Sequence, residues 1–407
     1  GNISVTGTGS TAGGNTGISQ SGAISVASGS NITFTSNNII SQSGSISMVA
    51  NTSGSAATIT YDTTSGTKAS SITTGALTIG TGSTANINYV MKAAGAALNP
   101  GALGTSTIAL PGTVTVDNTW GGGTPATGYI TTANIATYAV AGVGATINNA
   151  IYAAGDITIK GAANGSQGIT YTATIDSLAG DVTLRGLTTT NYGVYTSNAS
   201  LITGNNISIT GLASGSTSGW TVQAGALTIN SGSSNANITI TATEGSAGSS
   251  NGLYQSGAIT GANGTNLTFT SNNNINQTGA ISLPANTTSS DATITYDTTT
   301  GNLNSAITSG NLTVTAGSTK AVNYVMKSAG GAINPGAITV PGYINLDNTW
   351  GCTGSGCSVA SGYLVTATIA SATTGVGVLV NGALNATNGV VIKGISNTNY
   401  GVEVTAA

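Results

Sequence analysis

The chain contains itself twice. Residues 31–66, NITFTSNNIISQSGSISMVANTSGSAATITYDTTSG, return at 266–301 as NLTFTSNNNINQTGAISLPANTTSSDATITYDTTTG, at an offset of 235. The offset holds through NYVMK (88–92 and 323–327). It falls to 230 at DNTWG (117–121 and 347–351) and to 208 at NYGV (191–194 and 399–402). At the start, NISVTG (2–7) meets NISITG (206–211) at an offset of 204. Two tandem copies of a unit of about 204 residues follow, 1–203 and 204–407. Copy 2 gains 31 residues near 212–250 and loses 25 near its end. A globular core does not absorb such blocks. A solenoid does when each block is one coil, because a coil touches only its neighbours.

A shorter period runs inside each copy. Gly-x-apolar-Ser/Thr-apolar strings stand at GDITI (155–159), GDVTL (180–184), NNISI (205–209) and GALTI (225–229), in steps of 25, 25 and 20. Gln20 to Gln42 and Gln255 to Gln277 are steps of 22, Ile32 to Ile59 of 27, and Tyr61 to Tyr89 of 28. Coils of roughly 20–28 residues with two or three short strands each fit this spacing. Alternate residues of a strand face opposite sides. Ile157 and Ile159 are therefore expected inside and Thr158 outside, with Gly, Asn and Ser at the corners. The fold class read from this pattern is all-β, a parallel β-solenoid continuous through both copies.

Composition agrees. Only 4% of residues are charged and there is no His, whereas a typical domain is about 25% charged. The chain is 39% hydrophobic with a net charge of −3, unlike disordered chains, which join low hydrophobicity to high charge. Helix formers are scarce, while Thr, Val and Ile are frequent. Tandem immunoglobulin-like sandwiches also show short strands at short spacing. A membrane β-barrel needs longer strands and aromatic girdles. No run of 18 apolar residues marks a transmembrane helix. No charged segment with an apolar core follows Gly1, and Val404–Ala407 stop in mid-pattern, so a longer parent polypeptide is expected.

The recurring Gly-x-Ile-Thr-Ile, the phrases TTNYGV (189–194) and NTNYGV (397–402), and the Asn/Ser/Thr/Gly-rich linkers resemble large bacterial β-helical exoproteins. These are the filamentous-haemagglutinin-like adhesins and autotransporter passengers. The resemblance is one of style and spans the chain. It implies a right-handed β-helix, an extended rod, and an adhesive or matrix-forming role at the bacterial cell surface.

Chemistry-bearing residues are few. Without His, the commonest general base near neutral pH is missing, and no catalytic residue, metal site or cofactor is assigned. Asp156 and Lys160 one coil below Asp181 and Arg185 would stack acid on acid and base on base, a small charged patch. Asp62/Asp297 (in YDTT) and Asp117/Asp347 (in DNTW) are expected to cap turns. Cys352 and Cys357 fall in WGCTGSGCSVASGY, where copy 1 has WGGGTPATGY, and suggest a disulfide across a longer surface hairpin. Trp120, Trp350, Tyr192 and Tyr400 could form a ligand platform, or could pack where coils end. Seven dispersed basic residues offer no stripe for nucleic acid. The expected function is that of a non-catalytic structural protein, the stalk of a secreted adhesin or a subunit of an extracellular filament. Its expected partners are further copies of the repeat, or surface glycans and proteins. A carbohydrate-active β-helix enzyme is the alternative.

Overall fold

The computed structural model describes residues 1–120, 130–196, 200–215, 219–245, 251–301, 304–350 and 374–405. They form a parallel β-solenoid whose only helix among the described residues is the four-residue Ile135–Tyr138. No helix of the described residues is long and apolar enough to cross a membrane. By packing, the chain divides into two compact units, Gly1–Asn205 and Asn206–Ala407.

The coils place strands on three faces, with one strand per coil on each of the first two, and neighbouring strands of a face pair in parallel from coil to coil. The first face of unit 1 runs Ile3–Gly7, Ile32–Ser36, Ala57–Thr63, Ile87–Ala93, Val114–Asp117, Ile157–Ala163, Val182–Thr188. In unit 2 it runs Ile207–Ala213, Asn237–Thr243, Asn266–Ser271, Ala292–Asp297, Val322–Lys327, Ile344–Asp347, Val390–Lys393. Side chains alternate along most of these strands. In Ala57–Thr63 every second residue is buried and those between are half-buried. Ile157 and Ile159 point inward and Thr158 outward, as the pattern requires.

Register turns this alternation into rows. Phe34, Tyr61, Met91, Val116, Ile159 and Leu184 lie in consecutive coils and form one inner row of unit 1. Outside, Ser4, Thr33, Thr60, Val90, Thr115, Thr158 and Thr183 form a flat row of small side chains, all but the first β-branched. Burying each large apolar side chain contributes about 1.5–3 kcal/mol, and the rows repeat that contribution coil after coil without any charge.

The core carries an aromatic stack in each unit. The Phe34 and Tyr61 rings lie 5.0 Å apart and nearly parallel, and Tyr89 tilts against Tyr61 at 5.7 Å. Phe269, Tyr296 and Tyr324 repeat this at 4.7 and 5.6 Å. Each buried phenol finds a partner, as it must. The Tyr61 hydroxyl donates to Gln42 Oε1 at 3.0 Å and the Tyr296 hydroxyl to Gln277 Oε1 at 2.9 Å. Tyr89 bonds Thr74 and Tyr324 bonds Ser309. Burial pushes all four phenols above their usual range, reinforced at Tyr61 and Tyr296 by the neighbouring tyrosine.

Three spacings need correction. Tyr89 is in register with Ile59 and not with Tyr61, which pairs with Met91. The 28-residue step is thus two residues short of the coil, which goes with the tilt of the two rings. The strand at 225–229 belongs to the third face, where Leu227 pairs with Ile259, so the step of 20 from 205 spans two faces of one coil. The coil range is also wider than 20–28. Tyr324 to Ile344 is 20, Ile207 to Ile238 is 31, and the coils after Val114 and Ile344 reach Ile157 and Val390, 43 and 46 residues on. The strands keep register across coils of these different lengths.

The differences between the copies now have a structural meaning. The 31 residues gained by copy 2 equal the coil from Ile207 to Ile238. The 25 lost equal the coil from Ile157 to Val182. One coil added and one removed leave seven first-face strands in each unit. The fall in offset from 235 to 230 is a different event. Copy 1 reads GALGTSTIALPG where copy 2 reads GAITVPG. The five extra residues make a bulge in which Thr105 and Ile108 exchange backbone hydrogen bonds. Gly104 enters it at φ +67°, a conformation that costs glycine little.

Candidate functional site

The outer face of the first sheet gathers most of the charge this chain has. In unit 1 one column reads Thr35, Asp62, Lys92, Asp117, Lys160, Arg185, each in register with the next. Unit 2 repeats it as Thr270, Asp297, Lys327, Asp347, Lys393. Ion pairs close along both columns. Lys92 reaches Asp62 at 3.0 Å, Lys160 Asp117 at 3.2 Å, Lys327 Asp297 at 2.8 Å and Lys393 Asp347 at 3.2 Å.

The aspartates also cap turns, as expected from their sequence context. Asp62 Oδ1 accepts from the Thr64 amide and hydroxyl at 2.8 and 2.7 Å, and Asp117 Oδ1 from those of Thr119 at 2.8 and 2.6 Å. Thr299 and Thr349 serve Asp297 and Asp347 alike. One carboxylate oxygen therefore holds the corner and the other holds the next coil. Burial would raise the Asp62 carboxyl, but the Thr64 donors and the Lys92 ammonium outweigh it and hold the group below its usual range. Sequence reading found the caps and missed the cations.

The DNTW string reads out residue by residue. Asp117 pairs and caps. Asn118 Nδ2 donates to the Ala96 and Ala162 carbonyls at 3.1 and 3.0 Å, and its Oδ1 accepts from the Ala162 amide at 2.6 Å. One side chain thus ties the coils before and after its own. Asn348 makes the corresponding bonds to Ile395. Trp120 then lies under Lys92, whose Nζ is 5.5 Å from the ring centre, and Trp350 under Lys327 at 5.6 Å. Such cation–ring contacts contribute about 0.5–1 kcal/mol at exposed sites.

The other candidates fall elsewhere. Tyr192 and Tyr400 belong to the NYGV corners. There Asn191 and Asn399 accept from the tyrosine amides at 2.9 Å. Gly186 and Gly394 let the carbonyls of Gly193 and Gly401 pass close by, where a Cβ would collide. The Tyr192 ring lies 4.8 Å from Tyr195, and Tyr400 is 63% exposed. Trp120 follows strand Val114–Asp117 and Tyr192 follows Val182–Thr188, with Ile157–Ala163 between them. Cys352 and Cys357 lie outside the described residues. Lys160 does stand on Arg185, and Asp156 Oδ1 accepts from the Asp181 amide at 2.9 Å. The stacking anticipated for that patch is present, with Lys160 already engaged by Asp117. Asp176 sits apart on the third face, its carboxyl raised by burial. Among the described residues, no group of three or more His, Cys, Asp or Glu side chains could hold a metal.

No family model, no curated protein and no solved structure matches this chain.

Proposed function

We propose that this β-solenoid repeat protein is a non-catalytic structural segment of a large bacterial exoprotein at the cell surface, serving as the stalk of an adhesin or as part of an extracellular fibre. One observation carries the reading. Copy 2 has gained a coil and lost a coil, yet both units keep seven first-face strands and the same Asp–Lys column. Coils are exchangeable while axial extent and surface charge are kept, which suits a spacer better than a pocket that must hold atoms in fixed places. The scarcity of charge fits a surface of hydroxyls and amides, and the style of the repeat supports the exoprotein assignment.

Cryo-electron microscopy of the native material, with antibody labelling of intact source cells, tests it. Layers about 4.8 Å apart in surface-exposed material are expected. Discrete beads, or material confined to the cell interior, would remove the reading. Loss of polysaccharide cleavage in Asp156→Asn or Asp181→Asn, with the fold intact, would replace it with the enzyme alternative.

A further inference from the structure

We propose that the charged column of unit 1 is a self-recognition surface, on which a second copy of this chain docks face to face with its solenoid axis reversed. Asp62, Lys92, Asp117 and Lys160 alternate in sign on successive coils, about 4.8 Å apart. An alternating row of four is complementary to its own reversal. With a two-fold axis running along the strands, Asp62 faces Lys160 of the second copy and Lys92 faces its Asp117, and the same pairs form again by symmetry.

The ends of the column select this orientation. Arg185 follows Lys160, so two cations stand together, and Thr35 precedes Asp62. In the reversed arrangement Arg185 meets the neutral Thr35 of the second copy. In a parallel arrangement in register every charge meets its like. In a parallel arrangement shifted by one coil, Arg185 meets Lys160. Like charges set against each other suppress the wrong partner.

Shape permits the approach. The row beside the column is made of β-branched residues, Thr60, Val90 and Thr115 among them, a flat strip against which a second sheet can pack at roughly 10 Å. The column reaches solvent. The Asp62 side chain is 20% exposed, and those of Lys92 and Lys160 are 30% and 31% exposed. An ammonium carries three protons. Asp117 is nearly buried and acts here through its field on Lys92 and Lys160. Exposed pairs contribute little each, so the column sets register and orientation while the flat row supplies the contact.

Charge exchange in trans tests this with the full chain. Sedimentation equilibrium at low salt is expected to show wild-type dimers that dissociate as salt screens charges beyond about 10 Å. Because unit 2 repeats the alternating column, the change is made in both: Lys160→Glu with Lys393→Glu in one variant and Asp62→Lys with Asp297→Lys in the other each set like charges opposite one another, and each is expected to stay monomeric. An equimolar mixture of the two restores both pairs and is expected to give a one-to-one dimer. A role confined to holding coils together predicts no such restoration. A monomeric wild type at low salt, or a mixture that remains monomeric while circular dichroism shows both variants folded, overturns the proposal. Should a swap variant not fold, Val90→Lys with Val325→Lys serves instead, since it leaves both columns intact and obstructs the row beside each. Wild-type dimerisation of that variant would equally overturn it. The inference rests on the structural reading above but fails separately, because a monomer with intact 4.8 Å layers leaves that reading standing.

Discussion

Unit 1 and unit 2 solve the same folding problem with different lengths of chain. Where they differ by 31 or 25 residues, the difference is a whole coil. Where they differ by five, it is a corner bulge beside Gly104. No difference falls inside a paired strand of the first face. Each strand between the two end strands is in register with two others, so shifting it by one residue would turn its inward residues outward, while a corner has no such neighbour to satisfy. The third face shows the cost of a bulge. In unit 2 it runs unbroken through six short strands from Ala226–Ile229 to Leu384–Ala386. In unit 1 the ladder is carried across the bulged coil by isolated bridges, Leu103 to Leu77 and Ile151 and Leu110 to Ala153.

The largest effect should come from violating the coil as a unit. Deleting 207–237 brings Ile238 to the place of Ile207 and is expected to leave unit 2 folded, with one coil fewer. Deleting 207–221 brings the second-face strand at Val222 to the place of the first-face strand and should abolish folding of unit 2, a loss of about 5 kcal/mol or more. Limited proteolysis and thermal melting distinguish the two, and equal damage from both would end the whole-coil account. Next, Phe34→Ala and Phe269→Ala should each cost about 3–5 kcal/mol in denaturant titrations. A gap between them larger than about 1 kcal/mol would show that the two stacks are not equivalent.

Alkali probes the same stacks. The phenols of Tyr61, Tyr89, Tyr296 and Tyr324 have folded pKa values raised by burial. Their contribution is therefore complete below pH about 10 and is lost as pH rises above it, at about 1.4 kcal/mol per pH unit for each phenol that must ionise on unfolding. Tyr89→Phe should soften the alkaline transition of unit 1 alone, as followed by tyrosinate absorbance. The smallest effect concerns Asp62. Its lowered carboxyl adds stability above the usual carboxylate range that fades as pH falls through its folded pKa. Asp62→Asn should cost no more than about 1 kcal/mol at neutral pH, because the pair is partly exposed. It should also flatten acid unfolding of unit 1, and an unchanged acid limb would show that the Lys92 pair contributes nothing measurable.

Much of the fold was legible because the solenoid writes its period into local strings. Gln20/Gln42 and Ile32/Ile59 are true register pairs, and alternation alone placed Ile157 and Thr158 correctly. The Asp–Lys column was harder to read. Asp117 and Lys160 stand 43 residues apart, across the longest coil of their unit, so no fixed period joins them. Asp62 and Lys92 were within reach, since their 30-residue separation recurs at Asp297 and Lys327. The signal was hidden because Tyr61 and Tyr89 suggested a coil of 28. The Trp120 and Lys92 contact depends on how a corner folds back over the preceding coil, which strand periodicity does not encode.

The direction of the backbone hydrogen bonds has a mechanical consequence. Within each unit they run from coil to coil, so tension applied along the stack loads them end-on and opens them a coil at a time. Extension of a unit should proceed in steps, each releasing the chain of one coil. For the 25 residues between Ile157 and Val182 that is roughly 80–90 Å when extended. The step that frees Asn118 must break its three side-chain bonds as well, so it should need the highest force and act as a latch that arrests further peeling.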